Sequence, residues 1–199
     1  MSRFDSLEIE PNVVDAFKRG ERGAAERVYG VLSKAVYGLT LRLLGDAEAA
    51  AEVTQDTFLD AIEKASTLRE DAALAGWVRS IAVNHCLMRL RSPWHRLFVR
   101  PAGGVMNPDI EMLDGSHDST RLNGWHDLAH ALGTLSNETR FVVWMHHVEG
   151  YTHAELGKLL GRSASYSKSQ LSRGLKRLQR QVLYSTEERA NGEGSEVRE

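Results

Sequence analysis

Residues 152–180 read THAELGKLLGRSASYSKSQLSRGLKRLQR, and every charge after Glu155 is positive. Thr152 followed by Glu155 is the spacing of a capping box, in which each side chain satisfies the other's backbone at a helix start. Leu156, Leu159 and Leu160 then fall on one helical face. Gly161 ends that helix, because glycine enters the left-handed conformation at little cost. Ser163 is placed to cap a second helix, whose Leu171, Leu175 and Leu178 form the apolar line. The opposite face carries Arg162, Lys168, Gln170, Arg173, Lys176, Arg177 and Arg180. Two helices, a tight turn and a cationic second helix make the layout of a helix-turn-helix, which inserts its second helix into the major groove of DNA. A solvated basic helix in an ordinary bundle is the alternative reading.

The rest of the chain is organised around charge blocks. The 199 residues carry a formal net charge of only −2. Yet residues 76–107 contain no acid, while Arg79, Arg89, Arg91, Arg96 and Arg100 are present. Residues 156–186 again lack acids and hold seven Lys and Arg. Between Asp46 and Asp71 the balance reverses, with eight acids against Lys64 and Arg69. Two basic surfaces separated by an acidic one suggest two contacts with a polyanion and one with another partner. A hydrophobic content of 42% supports real cores, and no apolar run is long enough to span a bilayer. One cysteine, Cys86, excludes an internal disulfide. A cytoplasmic protein with no membrane insertion, no metal and no cofactor is expected.

Helical periodicity dominates, so the expected fold is all-α. It divides into two small helical domains joined by a flexible linker, the C-terminal one a helix-turn-helix. The first domain spans 13–92. Its helices cover 13–44 with a break at Gly20, then 47–65 with Val53, Phe58, Ala61, Ile62 and Ala65 inward, then 74–90 with Trp77, Ile81, Ala82 and Leu87 inward. Residues 93–121 scatter Pro and Gly through polar sequence and read as the linker. The second domain covers 122–184, with Ser136 capping a helix that ends at Gly150. Residues 185–199 are polar and are expected to be disordered.

Several motifs, in order, resemble an extracytoplasmic-function sigma factor of the sigma-70 family. The first module carries Glu52-Val53-Thr54-Gln55-Asp56-Thr57-Phe58-Leu59, then Trp77, Ile81-Ala82-Val83-Asn84 and Leu90-Arg91. The second carries Glu149-Gly150, Lys168-Ser169, Leu171 and Arg173. The resemblance implies a subunit without an active site that binds core RNA polymerase and carries it to promoter DNA. Its first module would dock on the polymerase through Glu52, Gln55, Asp56, Phe58 and Leu59, and would open the −10 element. Its second module would read the −35 element.

For the −35 contact, Arg162, Lys168 and Arg173 can neutralise phosphates. Ser163, Ser165, Tyr166, Ser167 and Gln170 lie near the start of the reading helix, where glutamine can pair with adenine. Family members commonly have arginine where Gln170 stands, which implies a different −35 preference. For the opened strand, Arg79, Asn84, His85, Arg89 and Arg91 supply a polar and basic track, and Trp77 either stacks on a base or packs in the core. The loop 66–73 corresponds to the family's base-capturing loop, although Glu70 and Asp71 make it acidic.

The family's acidic cluster before the docking segment is reduced here to Ala49-Ala50-Ala51-Glu52. Thr54 and Thr57 follow at once, and a phosphate on either would restore negative charge. Control by a Ser/Thr kinase is therefore one expectation, and control by an anti-sigma factor is the other. His146, His147 and His153 resemble metal ligands at first sight, yet without a nearby cysteine a structural role is the reading taken. Cys86 is either a redox thiol or a packed one. The rival functions are a stand-alone helix-turn-helix regulator binding DNA as a dimer, and an adaptor bundle that contacts only proteins.

Overall fold

The computed structural model describes residues 4, 7–69, 74–91, 128 and 130–193. Among these no residue is in a strand. The first helix, α1 (Pro11–Lys18), starts with proline, which needs no hydrogen-bond acceptor there. Val13, Val14 and Phe17 are its buried face. Gly20 then turns the chain with φ +78°. Helix α2 (Arg22–Leu44) runs unbroken to Gly45, whose left-handed φ of +70° closes it with Gly45 N–H donating to the Leu41 carbonyl at 2.7 Å. Asp46 caps α3 (Ala47–Glu63), its Oδ1 accepting from Ala49 N at 2.7 Å. A 3-10 turn (Ala65–Thr67) leads toward α4 (Leu74–Arg91). Helices α2, α3 and α4 pack mutually, and Leu32, Val36, Val53, Ala61, Val78, Ala82 and Cys86 lie in the core they share. Ile62 departs from the expected inner stripe of α3 and is exposed, while Thr54 and Thr57 take inner positions.

In the C-terminal part, helical residues 130–133 precede Ser136, which caps α5 (Asn137–His147). Gly150 turns with φ +76° into the capping box of α6 (His153–Leu160). There Thr152 N donates to Glu155 Oε2 at 2.8 Å and Glu155 N donates to Thr152 Oγ1 at 3.3 Å. Gly161 ends α6 with φ +64°. The last helix, α7, covers Ala164–Glu193. It continues well past residue 184, where composition pointed to disorder, because adding residues to an established helix is far cheaper than starting one. Helices α5, α6 and α7 pack on one another.

The inner line of α7 differs from the leucine stripe. Leu171 and Leu178 pack against the core, but Leu175 is 37% exposed. The line instead runs Ser167, Gln170, Leu171, Gly174 and Leu178. Gly174 is the reason: a Cβ there would meet Val143 Cγ2 at 2.6 Å and Thr139 Cγ2 at 2.9 Å. Its absence lets α7 approach α5 closely along its small residues.

The two halves share one hydrophobic core, with α2 against α5. The Arg42 guanidinium lies 5.1 Å from the centre of the Trp144 ring. Arg140 is fully buried beside Gly45 and donates to the Leu132 and Leu135 carbonyls at 3.1 Å each. The expected linker, residues 93–121, lies outside the described residues, as do Glu70 and Asp71.

Candidate nucleic-acid interface

Helix α7 presents one continuous exposed stripe. Ser165, Lys168, Ser169, Ser172, Arg173 and Lys176 are all exposed and recur at three- and four-residue spacing. Ser163 Oγ accepts from Tyr166 N at 3.2 Å and holds the helix start. Exposed Arg162 lies 5.6 Å from the centre of the Tyr166 ring. The Tyr166 hydroxyl donates to Glu138, and burial, reinforced by that carboxylate, pushes the phenol pKa up. Tyr166 is therefore half-buried, with its polar end turned to its own module.

Two expected readers face inward. Gln170 is 8% exposed, and its Oε1 accepts from Thr139 Oγ1 at 2.7 Å. Ser167 is fully buried and shares a 3.0 Å hydrogen bond with His153 Nδ1. Both are corrections: the polar residues of α7 do not all lie on its outer face, because the contacts with α5 and α6 draw Gln170 and Ser167 inward. Ser169 and Ser172 take their place on the outer stripe. Their signal was available as the three- and four-residue spacing from Ser165. Beyond the stripe, an open groove of about 660 Å³ lies between the α5 start and α7, with Arg173, Lys176, Arg177 and Arg180 among its lining.

The expected track on α4 splits three ways. Trp77, Asn84 and Arg91 recur every seven residues and share one face, on which Asn84 and Arg91 are exposed. Trp77 is half-buried against the core. His85 and Arg89, one turn apart, turn instead to α3: His85 Nε2 is 3.1 Å from Asp60 Oδ2, and Arg89 donates to Glu52. The Lys64 ammonium, 2.6 Å from Asp60, holds that carboxyl below its usual range, and the His85 contact adds to this. Arg79 lies between the halves and donates to Glu149. Arg91 donates to the Leu159 carbonyl of α6.

On α3 the exposed stripe is Glu52, Gln55, Asp56, Leu59, Ile62 and Glu63, and Leu59 is 66% exposed. Phe58 is a correction: it is buried, edge-on to Tyr29 at 4.8 Å between ring centres. Ile62 is the residue missed, one turn beyond Leu59. Thr54 and Thr57 also face inward. Thr54 is 6% exposed and its hydroxyl donates to the Ala50 carbonyl at 2.7 Å, while fully buried Thr57 donates to the Val53 carbonyl at 2.6 Å. A helical threonine beside a packed face returns its hydroxyl to the preceding turn, so neither is presented to an enzyme.

The remaining groups carry structure. His146 stacks on His153 with ring centres 4.4 Å apart, and its Nδ1 lies 2.7 Å from the Tyr151 carbonyl. Cys86 is fully buried, and burial pushes its thiol far up, away from the reactive thiolate. No described helix is long and apolar enough to cross a membrane.

Comparison with known proteins adds a second line of observation. The family described as Sigma-70 region 2 matches residues 28–96, and that described as Sigma-70, region 4 matches residues 125–178. The chain is 26% identical to the ECF RNA polymerase sigma factor SigM of Mycobacterium tuberculosis, over 88% of its own length and 85% of that protein's. It is 28% identical to the RNA polymerase sigma-H factor of Pseudomonas aeruginosa, over 55% of each chain. In structure it is similar to the sigma factor RpoE of Bartonella quintana, solved in complex with the anti-sigma factor NepR. The TM-score is 0.50 at 20% identity, covering 79% of this chain and 95% of that one.

Proposed function

The chain belongs to the sigma-70 family of RNA polymerase sigma factors, of the extracytoplasmic-function type, and from that premise we propose how its surfaces divide the work of promoter-specific initiation. Proteins of this kind are regulatory subunits rather than catalysts. Residues 13–92 form the unit that engages core polymerase and the opened −10 strand, and residues 122–184 the unit that reads −35 duplex. The acidic and apolar α3 stripe, from Glu52 to Ile62, docks on core polymerase. Its exposed Leu59 supplies an apolar anchor, and its carboxylates supply steering toward a basic partner. The Trp77, Asn84 and Arg91 face of α4, with Arg79 at its margin, follows the single strand. Arg162, Lys168, Arg173 and Lys176 neutralise duplex phosphates, while Ser165, Ser169 and Ser172 face the base edges.

The observation that carries this reading is the uninterrupted serine and cation stripe on the second helix of a helix-turn-helix whose first helix is capped at both ends and whose second is capped at its start by Ser163. Run-off transcription with purified core polymerase on a library of promoter variants tests it. The chain should direct one start-site class, and Leu59→Ala should lose core binding. Lys168→Ala should weaken duplex binding evenly across sequences and lower the salt slope by about one. A chain that yields no promoter-specific transcript, yet binds palindromic duplex as a dimer, would be the stand-alone regulator instead.

For control, the buried Thr54 and Thr57 hydroxyls argue against a kinase acting on the folded helix. We therefore place an anti-sigma factor ahead of a Ser/Thr kinase as the regulatory partner. The RpoE neighbour is bound by such a factor.

A further inference from the structure

Two side-chain bridges tie the start of α5 to the first turns of α7. Glu138 and Thr139, neighbours on α5, meet Tyr166 and Gln170, which lie one turn apart on α7. The Thr139 hydroxyl spends its one proton on Gln170 Oε1 at 2.7 Å, so in the 2.7 Å contact between Ser136 Oγ and Thr139 Oγ1 the serine donates. That bridge is neutral. The other is charged: the Tyr166 hydroxyl donates to the Glu138 carboxylate, and a hydrogen bond to an ionised acceptor is the stronger kind. Burial and this carboxylate raise the phenol pKa, so at neutral pH the hydroxyl keeps the proton it donates.

A carboxylate is an unexpected anchor here. Residues 156–186 contain no acid, yet the first turn of α7 is fastened to one that α5 brings in. Negative charge close to a phosphate backbone opposes association. The place of Glu138 in the first turn of α5, where the helix dipole favours an anion, accounts for its local stability. It does not account for the bond to Tyr166.

The far side of the Tyr166 ring supplies the reason. Exposed Arg162, in the turn after Gly161, has its guanidinium 5.6 Å from the centre of that ring. Of Arg162, Lys168, Arg173 and Lys176, it alone is braced by an aromatic ring among the described residues. An arginine held on a ring loses less rotamer freedom when it meets a ligand. The ring can brace it only while the ring itself stays put, and the hydroxyl at its tip is the point that is fixed.

We infer that Glu138 is a positioning residue for duplex binding: through the Tyr166 hydroxyl it holds the ring on which Arg162 is braced, so that a carboxylate strengthens the grip of the module on DNA. This rests on the phosphate-binding role proposed above for Arg162. Charge alone gives the opposite sign, since any neutral residue at position 138 would then tighten binding.

The test measures anisotropy of a fluorescent random-sequence duplex with the full chain over a series of salt concentrations, because a phosphate contact needs no particular sequence. Arg162→Ala should weaken binding and lower the salt slope by about one. Glu138→Ala and Tyr166→Phe should each weaken binding by about threefold, the scale of one arginine left to be ordered on binding. Glu138→Gln removes the same charge as Glu138→Ala but keeps a carbonyl acceptor for the phenol, and should recover most of the loss. Glu138→Ala added to Arg162→Ala should cost nothing further, because the two act through one contact. Thermal melting is followed on every variant. A lowered melting temperature with unchanged duplex affinity would make the Glu138 contact merely structural and overturn the inference. Equal tightening by Glu138→Ala and Glu138→Gln would overturn it too, as a plain charge effect. Either result, with Arg162→Ala still weak, leaves the duplex-reading role of α7 standing. If Arg162→Ala changes neither affinity nor slope, the phosphate role of Arg162 fails and the inference fails with it.

Discussion

Arg140 shows how much one side chain can hold. It is buried completely, and burial pushes its pKa down to about 10, so it stays charged at neutral pH. Its donors meet the Leu132 and Leu135 carbonyls, which close the helical turn before α5. Arg140→Met keeps the volume and leaves both carbonyls without those donors. At ~1–3 kcal/mol for each unsatisfied buried group, the expected loss is at least about 2 kcal/mol, read from the urea midpoint. His153 gives a pH dependence. Burial lowers its pKa from 6.5, and His146, Lys168 and His147 add repulsion, while its Nδ1 bonds Ser167. A histidine depressed in the folded state takes up its proton later than in the unfolded chain. Its contribution is therefore full above pH 6.5 and is lost as acidification passes below that value. Melting temperature should fall between pH 7.5 and 5.5, and His153→Gln should flatten that fall. At this scale the sequence told which residue types were available, but not which way they pointed. Gln170 and Lys168 looked alike as polar members of one helix, and only Thr139 on a neighbouring helix distinguishes them.

Among the elements, the second helix of the motif is the most instructive. Its leucine spacing suggested one inner face, and Gly174 rotated that face by a fraction of a turn. Gly174→Val should overpack against Val143 and Thr139, costing about 1–3 kcal/mol in chemical denaturation and weakening duplex binding through the displaced helix. Gly157 is the corresponding point in the turn, where a Cβ would come within 2.9 Å of the Arg162 to Ala164 backbone. The capping box makes a milder prediction: Thr152→Ala should cost about 1 kcal/mol, with helix content falling on thermal melting before the core melts. Starts and stops of helices were the most legible features. Thr152, Gly161, Gly20, Gly45 and Ser136 act through their own backbone and immediate neighbours, so local sequence suffices to place them.

At the scale of the whole molecule, the halves behave as one body because α2 and α5 share a core. A single cooperative calorimetric transition is expected for the free chain. Trp144→Ala removes the ring that stacks under Arg42 and should split that transition into two, with the total enthalpy reduced. An unchanged single transition would place the coupling elsewhere. Charge blocks foretold that two basic surfaces and one acidic one exist. They did not foretell that Arg79 would meet Glu149, a partner seventy residues away.

What the amino-acid sequence determined by itself is the helical class, the helix-turn-helix with its caps, the order of motifs and the sign of each surface. These depend on periodicity and on interactions spanning three or four residues, which a linear reading contains. The tertiary structure alone decided that Gln170, Ser167, Phe58, Thr54 and Thr57 face inward and that Ile62 and Ser169 face out. It also decided that the second half occupies cations of the first. Burial and ion pairing are set by whichever surface arrives from elsewhere in the chain, and no local pattern specifies that neighbour.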